Sequence, residues 1–510
     1  MEHLGEMRLF DSLTEPPPKL ARRSKGCLTC LQRRVKCDAT HPTCNRCRNG
    51  FYTCRGYVKP PIFINSGIAQ QAHSPTGSKI TTRRVARPEH HAGPRPTPFL
   101  GLDGFRDKIT VTHLFERFRI KFIFLPEPDD APTISSIFHI ADEESSAYIA
   151  GRALSEVLFG RLHSESSTTH HSTRLYSKGL AFLRSDLAPA SLASTTTRRL
   201  YTNLWSSLFF SLYETMTLSA PRNWLQHCQG LLAMVYSLGP HAFERQAARA
   251  FLEYNRGYLI ASCILLRRKT FLEQRKWKSV SWGPKTNINK SFRVLLEDIY
   301  CDIPGYLQAT DNLSAKNSGA ERDTEIARLR AKIIQAFSDT ESLRVQWQAK
   351  YPTACHEAPV TDGALPFTSS LKTILRFTNP ERAFEINSFN TIRLLLSSLA
   401  NQLEIPEPIL LATTCNRAQS GPHQVPLLSP GKYCPTTYAL EICRTVEYMM
   451  CCEWDILGAF ALIVPLAIAS RQLSHRLDMQ AWISRVFKMI STEKGFKIAE
   501  HATDMAAGNI

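Results

Sequence analysis

Apolar residues recur at intervals of three and four through most of the chain after residue 105, which is the spacing of one face of an α-helix. Five such stripes each predict an amphipathic helix packed on a core. They are Val111, Leu114, Phe115, Phe118, Phe122 and Leu125; Leu200, Leu204, Leu208, Leu212 and Met216, with Trp205 and Phe209; Ile326, Leu329, Ile333, Phe337 and Trp347; Phe389, Ile392, Leu395 and Leu399; and Trp482, Ile483, Val486 and Ile490. Sustained strand alternation is hard to find, so residues 105–510 are predicted to form a large all-α domain.

Breaks in this helical pattern predict loops near 161–173, 280–290, 309–323 and 404–437. The pair His170-His171 falls in one of them, and we expect it to be solvated there. The pair His90-His91 is expected to be solvated in the same way. The longest apolar run, 456–469, contains Pro465 and has 14 residues. That run is too short to span a bilayer, so it predicts a buried helix or helix pair and no membrane association.

The first 104 residues lack the helical pattern and divide by composition. Residues 1–18 are polar and end in three prolines, which predicts a disordered N-terminus. Residues 59–104 are rich in Pro, Gly, Ser, Thr and Gln and predict a flexible linker without a coiled-coil heptad. The segment between them, 19–58, has too few large apolar residues to fold by burial, so it needs a covalent or metal staple.

That segment contains a near repeat of cysteines in which Cys-x2-Cys-x6-Cys occurs twice. The six residues are Cys27, Cys30, Cys37, Cys44, Cys47 and Cys54. Two cysteines separated by two residues reach one ion when the second lies in the first turn of a helix that the first one opens. Two short helices are therefore expected, near 28–35 and 45–51. Six thiolates serve two tetrahedral zinc ions only if two of them bridge, and the first cysteine of each half is the candidate, Cys27 and Cys44.

Three other interpretations of these cysteines compete with a zinc cluster that has a function beyond folding. Disulfides need an oxidising compartment, and Met1 to Leu20 contains no apolar segment of a signal peptide. Unrelated core thiols need a core, which this polar segment lacks. A zinc site with a purely structural role stays open. The other nine cysteines are scattered without ligand spacing and suit a reducing interior.

Charge is the observation that favours DNA over a purely structural role. The 510 residues carry a net charge of +17. Between Lys19 and Lys59 there are eleven Lys or Arg residues and one acid, Asp38, so +10 of that charge lies in 41 residues. A compact basic patch beside a metal-held scaffold is the electrostatic signature of a protein that binds the phosphate backbone. A merely solvated face would mix the two signs more evenly.

The cysteine segment resembles the fungal binuclear zinc cluster, a DNA-binding module whose six cysteines hold two zinc ions. The basic run 33–36, Asp38 after the third cysteine and Pro42 between the halves agree with the family; Leu31 stands where the family usually has a basic residue. The resemblance implies two ligand sets that share Cys27 and Cys44. They are Cys27, Cys30, Cys37 and Cys44 for one ion, and Cys44, Cys47, Cys54 and Cys27 for the other.

The basic residues of the segment divide into base readers and phosphate anchors. Arginine presents a planar fork that matches guanine O6 and N7. The family's base-reading pair occupies the positions of Arg33 and Arg34, so Arg34, with Arg33 beside it, is predicted to read GC-rich, CGG-like triplets in double-stranded DNA. The alternative is that both touch phosphate alone. The predicted phosphate anchors are Lys25, Lys36, Arg46 and Arg48.

The helical region resembles the fungal-specific transcription factor domain through short pieces in the same order. The pieces are Tyr176–Leu183, Leu212–Glu214, Trp224–Gly230, Arg267–Leu272 with Trp277-Lys278, and Pro465–Arg471. The resemblance implies a helical regulatory domain and not an enzyme, and no G-x-S-x-G, H-E-x-x-H or P-loop motif occurs. Trp224, His227 and Gly230 are interpreted as packing residues, Gly230 permitting close approach; an effector pocket is the alternative.

Together these patterns predict a zinc-dependent, sequence-specific DNA-binding transcription factor in the nucleus. It would regulate RNA polymerase II genes of a metabolic or secondary-metabolite pathway. A homodimer, if one forms, would use the helical domain. The alternative is a transcriptional co-regulator that acts mainly through protein partners and has weak DNA specificity.

Overall fold

A computed structural model describes the chain in two units, Met1–Pro96 and Thr97–Ile510. The described residues are 27, 29–30, 33, 35–40, 43–50, 52–54, 105–118, 138, 145–188, 197–220, 222–279, 290–314, 319–360, 365–366, 370–415, 433–452 and 454–507. The predicted disordered N-terminus, 1–18, and the predicted linker, 59–104, lie outside these ranges.

The described part of the first unit is built around its cysteines. A short helix, α1, spans Asn45–Asn49, and it is the second of the two helices expected from the cysteine spacing. The other, near 28–35, is described at four of its eight positions, 29, 30, 33 and 35, and its extent is not tested. Four buried cysteines form the hydrophobic cluster of this unit, with Val35, Cys37 and Cys54 packed against it. Because those residues supply so little apolar area, burial alone cannot hold the described part of this unit together.

The second unit is mostly helical. Its helices are α2 Arg106–Arg117, α3 Ser146–Leu162, α4 Ser166–Asp186, α5 Thr197–Thr217, α6 Asn223–Leu238, α7 Gln246–Leu265, α8 Arg275–Ser279, α9 Phe292–Tyr300, α10 Ile303–Ser314, α11 Ala320–Lys350, α12 Pro380–Gln402, α13 Glu407–Cys415, α14 Pro435–Cys451, α15 Asp455–Gln472, α16 Leu477–Glu493 and α17 Ala502–Ala507. Short 3₁₀ turns cover Pro240–Phe243, Phe271–Glu273 and Lys497–His501.

The predicted apolar stripes lie on these helices and face a continuous hydrophobic core. That core includes Leu114 of α2, Phe209 of α5, Ile333 of α11, Ile392 of α12 and Val486 of α16, all nearly inaccessible to solvent. Helices α3 to α6 pack on one another in the first half of the unit, and α12, α14 and α15 pack together in the second half. The described residues thus confirm the helical periodicity of all five stripes, although Phe122 and Leu125 of the first stripe lie outside them.

The all-α prediction is wrong in one detail, because the unit contains a small antiparallel hairpin. Strand β1, Cys355–Pro359, pairs with β2, Thr373–Phe377, in the register that sets Cys355 opposite Phe377. Ile374, Leu375 and Phe377 are buried, and β2 packs on α14. The sequence did not reveal these strands because neither alternates apolar and polar residues: β1 has the sequence Cys-His-Glu-Ala-Pro and β2 has Thr-Ile-Leu-Arg-Phe.

Three of the predicted loops are largely helical where they are described. Helix α4 begins at Ser166, inside the predicted loop 161–173. Helices α10 and α11 cover most of 309–323, and α13 lies within 404–437. The loop 280–290 falls almost entirely outside the described residues. The polar run at the start of α4 is held helical by packing on α3, where Thr168 and Ser172 are buried, so tertiary contacts override weak propensity.

The apolar run 456–469 forms a single helix, α15, with Pro465 inside it. In the described part of the chain, this helix is long and apolar enough to cross a membrane by length and composition, and half of it is buried inside the protein. It packs against α14, α12 and α17. These contacts agree with the predicted buried helix.

Gly458 lies where α15 comes very close to the backbone of α14. A Cβ added at Gly458 would lie 2.2 Å from the Met449 carbonyl oxygen, a backbone atom that cannot rotate away. Gly458→Ala is therefore expected to lower the free energy of unfolding of the helical unit by about 1–3 kcal/mol through overpacking. Denaturant unfolding of the full chain, followed by far-UV circular dichroism, measures this loss.

Gly230 supplies the matched control for that prediction. We interpreted it from the sequence as permitting close helix approach, and this is wrong: it is exposed on α6, and an added Cβ meets no atom within 4 Å. Gly230→Ala is expected to raise the free energy of unfolding by up to about 1 kcal/mol, the helix-propensity difference. Equal stability of Gly458→Ala and the wild-type chain would contradict the proposed close contact.

Candidate metal centre and nucleic-acid interface

The six cysteines predicted as ligands come together in one cluster. The Cys27 Sγ lies 3.6 Å from the Cys44 Sγ and 3.8 Å from the Cys47 Sγ, and the Cys30 Sγ lies 3.7 Å from the Cys44 Sγ. A disulfide would set two sulfurs about 2.05 Å apart. These cysteines are all free thiols, so disulfide pairing is not their role in this structure.

The sulfurs form two groups of four that fit tetrahedral metal sites. Cys27, Cys30, Cys37 and Cys44 make one group, and Cys27, Cys44, Cys47 and Cys54 make the other; the sulfurs of each group lie within 4.8 Å of one another. Zinc–thiolate bonds of about 2.3 Å place tetrahedral ligands about 3.8 Å apart, close to the separations above. The two residues common to both groups are Cys27 and Cys44, the predicted bridging pair.

Backbone amides and burial shape the chemistry of these thiols. The Cys30 amide lies 3.4 Å from the Cys27 Sγ, and the Cys47 amide donates to the Cys44 Sγ at 3.3 Å. Cys44 is the N-cap of α1, so the second half of the repeat has the expected arrangement of a helix opened by a ligand. Burial raises the pKa of Cys30, Cys44 and Cys47 to about 12. A divalent cation must therefore displace protons to bind here.

Asp38 stabilises the start of α1 from across the loop. Its carboxylate accepts hydrogen bonds from the Thr40 hydroxyl at 2.7 Å, the Asn45 amide at 3.0 Å and the Arg46 amide at 3.2 Å. The hydroxyl first, and then the two amides, hold the pKa of Asp38 well below its usual range. The sequence drew attention to Asp38 only as a family detail. Its capping role was missed because it lies seven residues before Asn45, outside the local capping pattern.

The described cations of this unit point into solvent around the cysteine cluster. Arg33, Lys36, Arg46 and Arg48 are all exposed. The Arg48 guanidinium donates to the Asn45 side chain at 2.6 Å, and the Arg33 guanidinium lies against the ring of Tyr52. No role for Tyr52 is evident from the sequence. The remaining two candidates for DNA contact, Lys25 and Arg34, lie outside the described residues.

In the helical unit, three of the short pieces that carry the second resemblance meet in space. The Tyr176 hydroxyl donates to the Glu214 carboxylate at 2.6 Å and lies 3.0 Å from the His227 Nε2. Glu214 is fully buried and also accepts from the Ser219 amide. Trp224 is buried and stacks on Tyr258. Trp224 and His227 therefore have packing roles, as the sequence predicted.

The histidine pair His170-His171 belongs to α4 and not to a loop. The His171 Nδ1 lies 2.6 Å from a carboxylate oxygen of Glu156, which is buried on α3. This pair of helices thus gains a polar contact at a site where the sequence predicted solvated side chains. The other pair, His90-His91, lies outside the described residues.

Comparison with known proteins assigns the cysteine segment. The sequence model of the fungal Zn(2)-Cys(6) binuclear cluster domain matches residues 25–61. Residues 25–61 are therefore a binuclear cluster domain, a class that binds two zinc ions through its six cysteines, and the two groups of sulfurs have the geometry for that. No solved structure gives a significant match to the chain.

The curated relatives are fungal transcription regulators that match over short segments. Arginine metabolism regulation protein II of Saccharomyces cerevisiae is 35 % identical over 82 residues, 14 % of this chain and 9 % of that protein. Transcription factor lfc1 of Flammulina velutipes is 51 % identical over 37 residues, 7 % of this chain and 13 % of that protein. Aspercryptin biosynthesis cluster-specific transcription regulator atnN of Emericella nidulans is 49 % identical over 44 residues, 8 % of this chain and 7 % of that protein. The matches therefore span at most 13 % of the length of these three relatives.

Proposed function

We propose that this protein is a zinc-dependent, sequence-specific DNA-binding transcription factor. The observation that carries the proposal is the binuclear cysteine cluster with exposed cations around it. Zinc folds a segment whose described residues form little apolar core beyond the cysteines, and the folded segment presents positive charge on its surface. The relatives, all transcription regulators by name, support the same class.

Within this function, the segment 19–58 is the DNA-binding domain and 105–510 is the helical regulatory domain. Arg33 and Arg34 read bases in a GC-rich, CGG-like triplet. The phosphate anchors are Lys25, Lys36, Arg46 and Arg48. The exposure of the four described cations supports contact with DNA, because side chains that are open to solvent can approach a duplex.

The helical unit is proposed to be a fungal-specific transcription factor domain. The contact among Tyr176, Glu214 and His227 supports this, because residues from three separate pieces of the resemblance form one packed polar cluster. A homodimer of the protein would form through this unit.

The protein is proposed to act in the nucleus on RNA polymerase II genes of a metabolic or secondary-metabolite pathway. Support for the pathway class comes from two relatives, one named for arginine metabolism and one for aspercryptin biosynthesis.

Selection of bound duplexes from a random pool by the full-length, zinc-loaded chain tests the proposal. We expect recovered duplexes to share a CGG-like triplet, with each mismatched base pair costing about 1–3 kcal/mol of binding free energy. A second triplet at fixed spacing would indicate a dimer, whereas a single triplet would indicate a monomer. Recovery of duplexes without any common sequence would overturn the proposal and favour a co-regulator that acts through protein partners.

A further inference from the structure

The contact between Arg33 and Tyr52 is a side-chain arrangement of the cluster domain that involves no metal ligand. The Arg33 Cζ lies 3.4 Å from the centroid of the Tyr52 ring, which is a stacking distance. Both side chains are nevertheless open to solvent, and Tyr52 is 47 % exposed. Single exposed aromatic rings are ordinary on protein surfaces, so the stacking contact with Arg33, and not the exposure, distinguishes Tyr52.

The backbone around Tyr52 holds its ring in place. The Tyr52 amide donates to the Cys47 carbonyl at 3.0 Å, which ties the ring to a metal ligand. Gly50 leaves the space that the ring needs, because a Cβ there would lie 2.9 Å from the Tyr52 Cδ2. The position of the ring is therefore set by the second half of the cysteine repeat.

Arg33 is attached to the first half of the repeat. Its amide donates to the Thr29 carbonyl at 3.1 Å, next to the ligand Cys30. The Thr29 hydroxyl in turn donates to the Thr53 carbonyl at 2.9 Å, which joins the two halves directly beside Tyr52. The Arg33 guanidinium and the Tyr52 ring thus come from different cysteine repeats, and their contact joins the two repeats.

Stacking changes what an exposed arginine can do in recognition. A free arginine side chain samples many rotamers, and binding DNA must order it. A guanidinium stacked on an aromatic face is already ordered, while the N–H donors on its edge remain available for a planar, two-point contact. Such a fork is suited to guanine O6 and N7 rather than to a single phosphate oxygen.

We infer that Tyr52 is a positioning residue that presents the Arg33 fork to base edges and so contributes to sequence discrimination. The inference rests on the proposed function, because it specifies how the same cluster domain selects its DNA. The base readers predicted from the sequence, Arg33 and Arg34, both lie in the first Cys-x2-Cys-x6-Cys repeat. The inference adds Tyr52, which lies in the second repeat.

The test compares Tyr52→Ala with the matched control Tyr52→Phe, which keeps the ring and removes the hydroxyl. Affinities of the zinc-loaded full chain are measured for a duplex carrying the selected CGG-like triplet and for the same duplex with that triplet replaced by A·T pairs. Tyr52→Ala is expected to weaken binding to the first duplex by roughly two- to fivefold and to leave the second unchanged. Tyr52→Phe is expected to match the wild-type chain, and both variants should keep two zinc ions.

A double variant separates positioning from independent contact. If Tyr52 acts through Arg33, Tyr52→Ala adds no further loss to Arg33→Ala. Full selectivity of Tyr52→Ala overturns the inference, as does equal weakening on both duplexes, which would make Arg33 a phosphate contact or Tyr52 a purely structural residue. Failure of the wild-type chain to prefer the first duplex would instead overturn the proposed function, so the two failures are distinguishable.

Discussion

Replacing Cys44 by alanine is expected to remove both zinc ions from the chain and to abolish its sequence-specific DNA binding. Cys44 belongs to both groups of sulfurs, so its loss leaves each ion with three protein ligands. Among the described residues of the surrounding segment, little besides the cysteines and Val35 forms an apolar core. Structural zinc binds zinc-finger peptides with an apparent free energy of about 10–16 kcal/mol at pH 7. In such small domains this binding free energy is also the free energy of folding. The cluster domain should therefore unfold in this variant.

Two other cysteines make this prediction specific. Cys54→Ala removes a ligand that belongs to one group alone, so it is expected to weaken binding of one ion more than the other. Cys451→Ser changes an exposed cysteine of the helical unit and should retain two ions. Zinc per chain, measured by elemental analysis after desalting, ranks the three variants. Retention of two ions by Cys44→Ala would refute the bridging assignment.

Arg34→Ala is expected to relax sequence preference and to cost about 1–3 kcal/mol at the selected site. The assignment of Arg34 rests on its place in the basic run 33–36, directly after Arg33. A base-reading arginine makes two directed hydrogen bonds to guanine, so its removal penalises the correct duplex and not a mismatched one.

Lys36→Ala is the comparison variant for Arg34, because Lys36 is an exposed cation of the same run that we assign to phosphate. It is expected to weaken binding to all duplexes alike and to reduce the dependence of log K on log salt concentration by about one. Binding isotherms at several salt concentrations, on matched and mismatched duplexes, measure both effects. Equal weakening of all duplexes by Arg34→Ala would remove it from the base-reading set.

The metal chemistry was predictable from the sequence because it depends on short local spacings. Cys-x2-Cys brings two ligands together within one turn, and the repeated pattern leaves two ions to share six sulfurs. The structure accordingly brings together the two predicted groups, with Cys27 and Cys44 in common. The apolar stripes were predictable for a similar reason, since helical periodicity is a local property of the chain.

The features that the sequence did not reveal depend on contacts between distant residues. Asp38 caps α1 from across a loop, and Tyr52 meets Arg33 from the other half of the repeat. The hairpin strands lack apolar alternation and are held by their pairing and by packing on α14, and the polar start of α4 becomes helical because α3 covers it. In each case the structure depends on a contact between segments that are separated along the chain, and no local sequence pattern specifies how the intervening residues bring them together.

Native mass spectrometry of the complex between the full-length chain and its selected duplex most directly tests whether zinc and sequence recognition belong to one site. We predict two zinc ions for each chain bound to the CGG-like duplex, and loss of the complex when a chelator removes them. A complex that keeps the same sequence selectivity with one zinc ion or none would contradict a DNA reader built on the binuclear cluster.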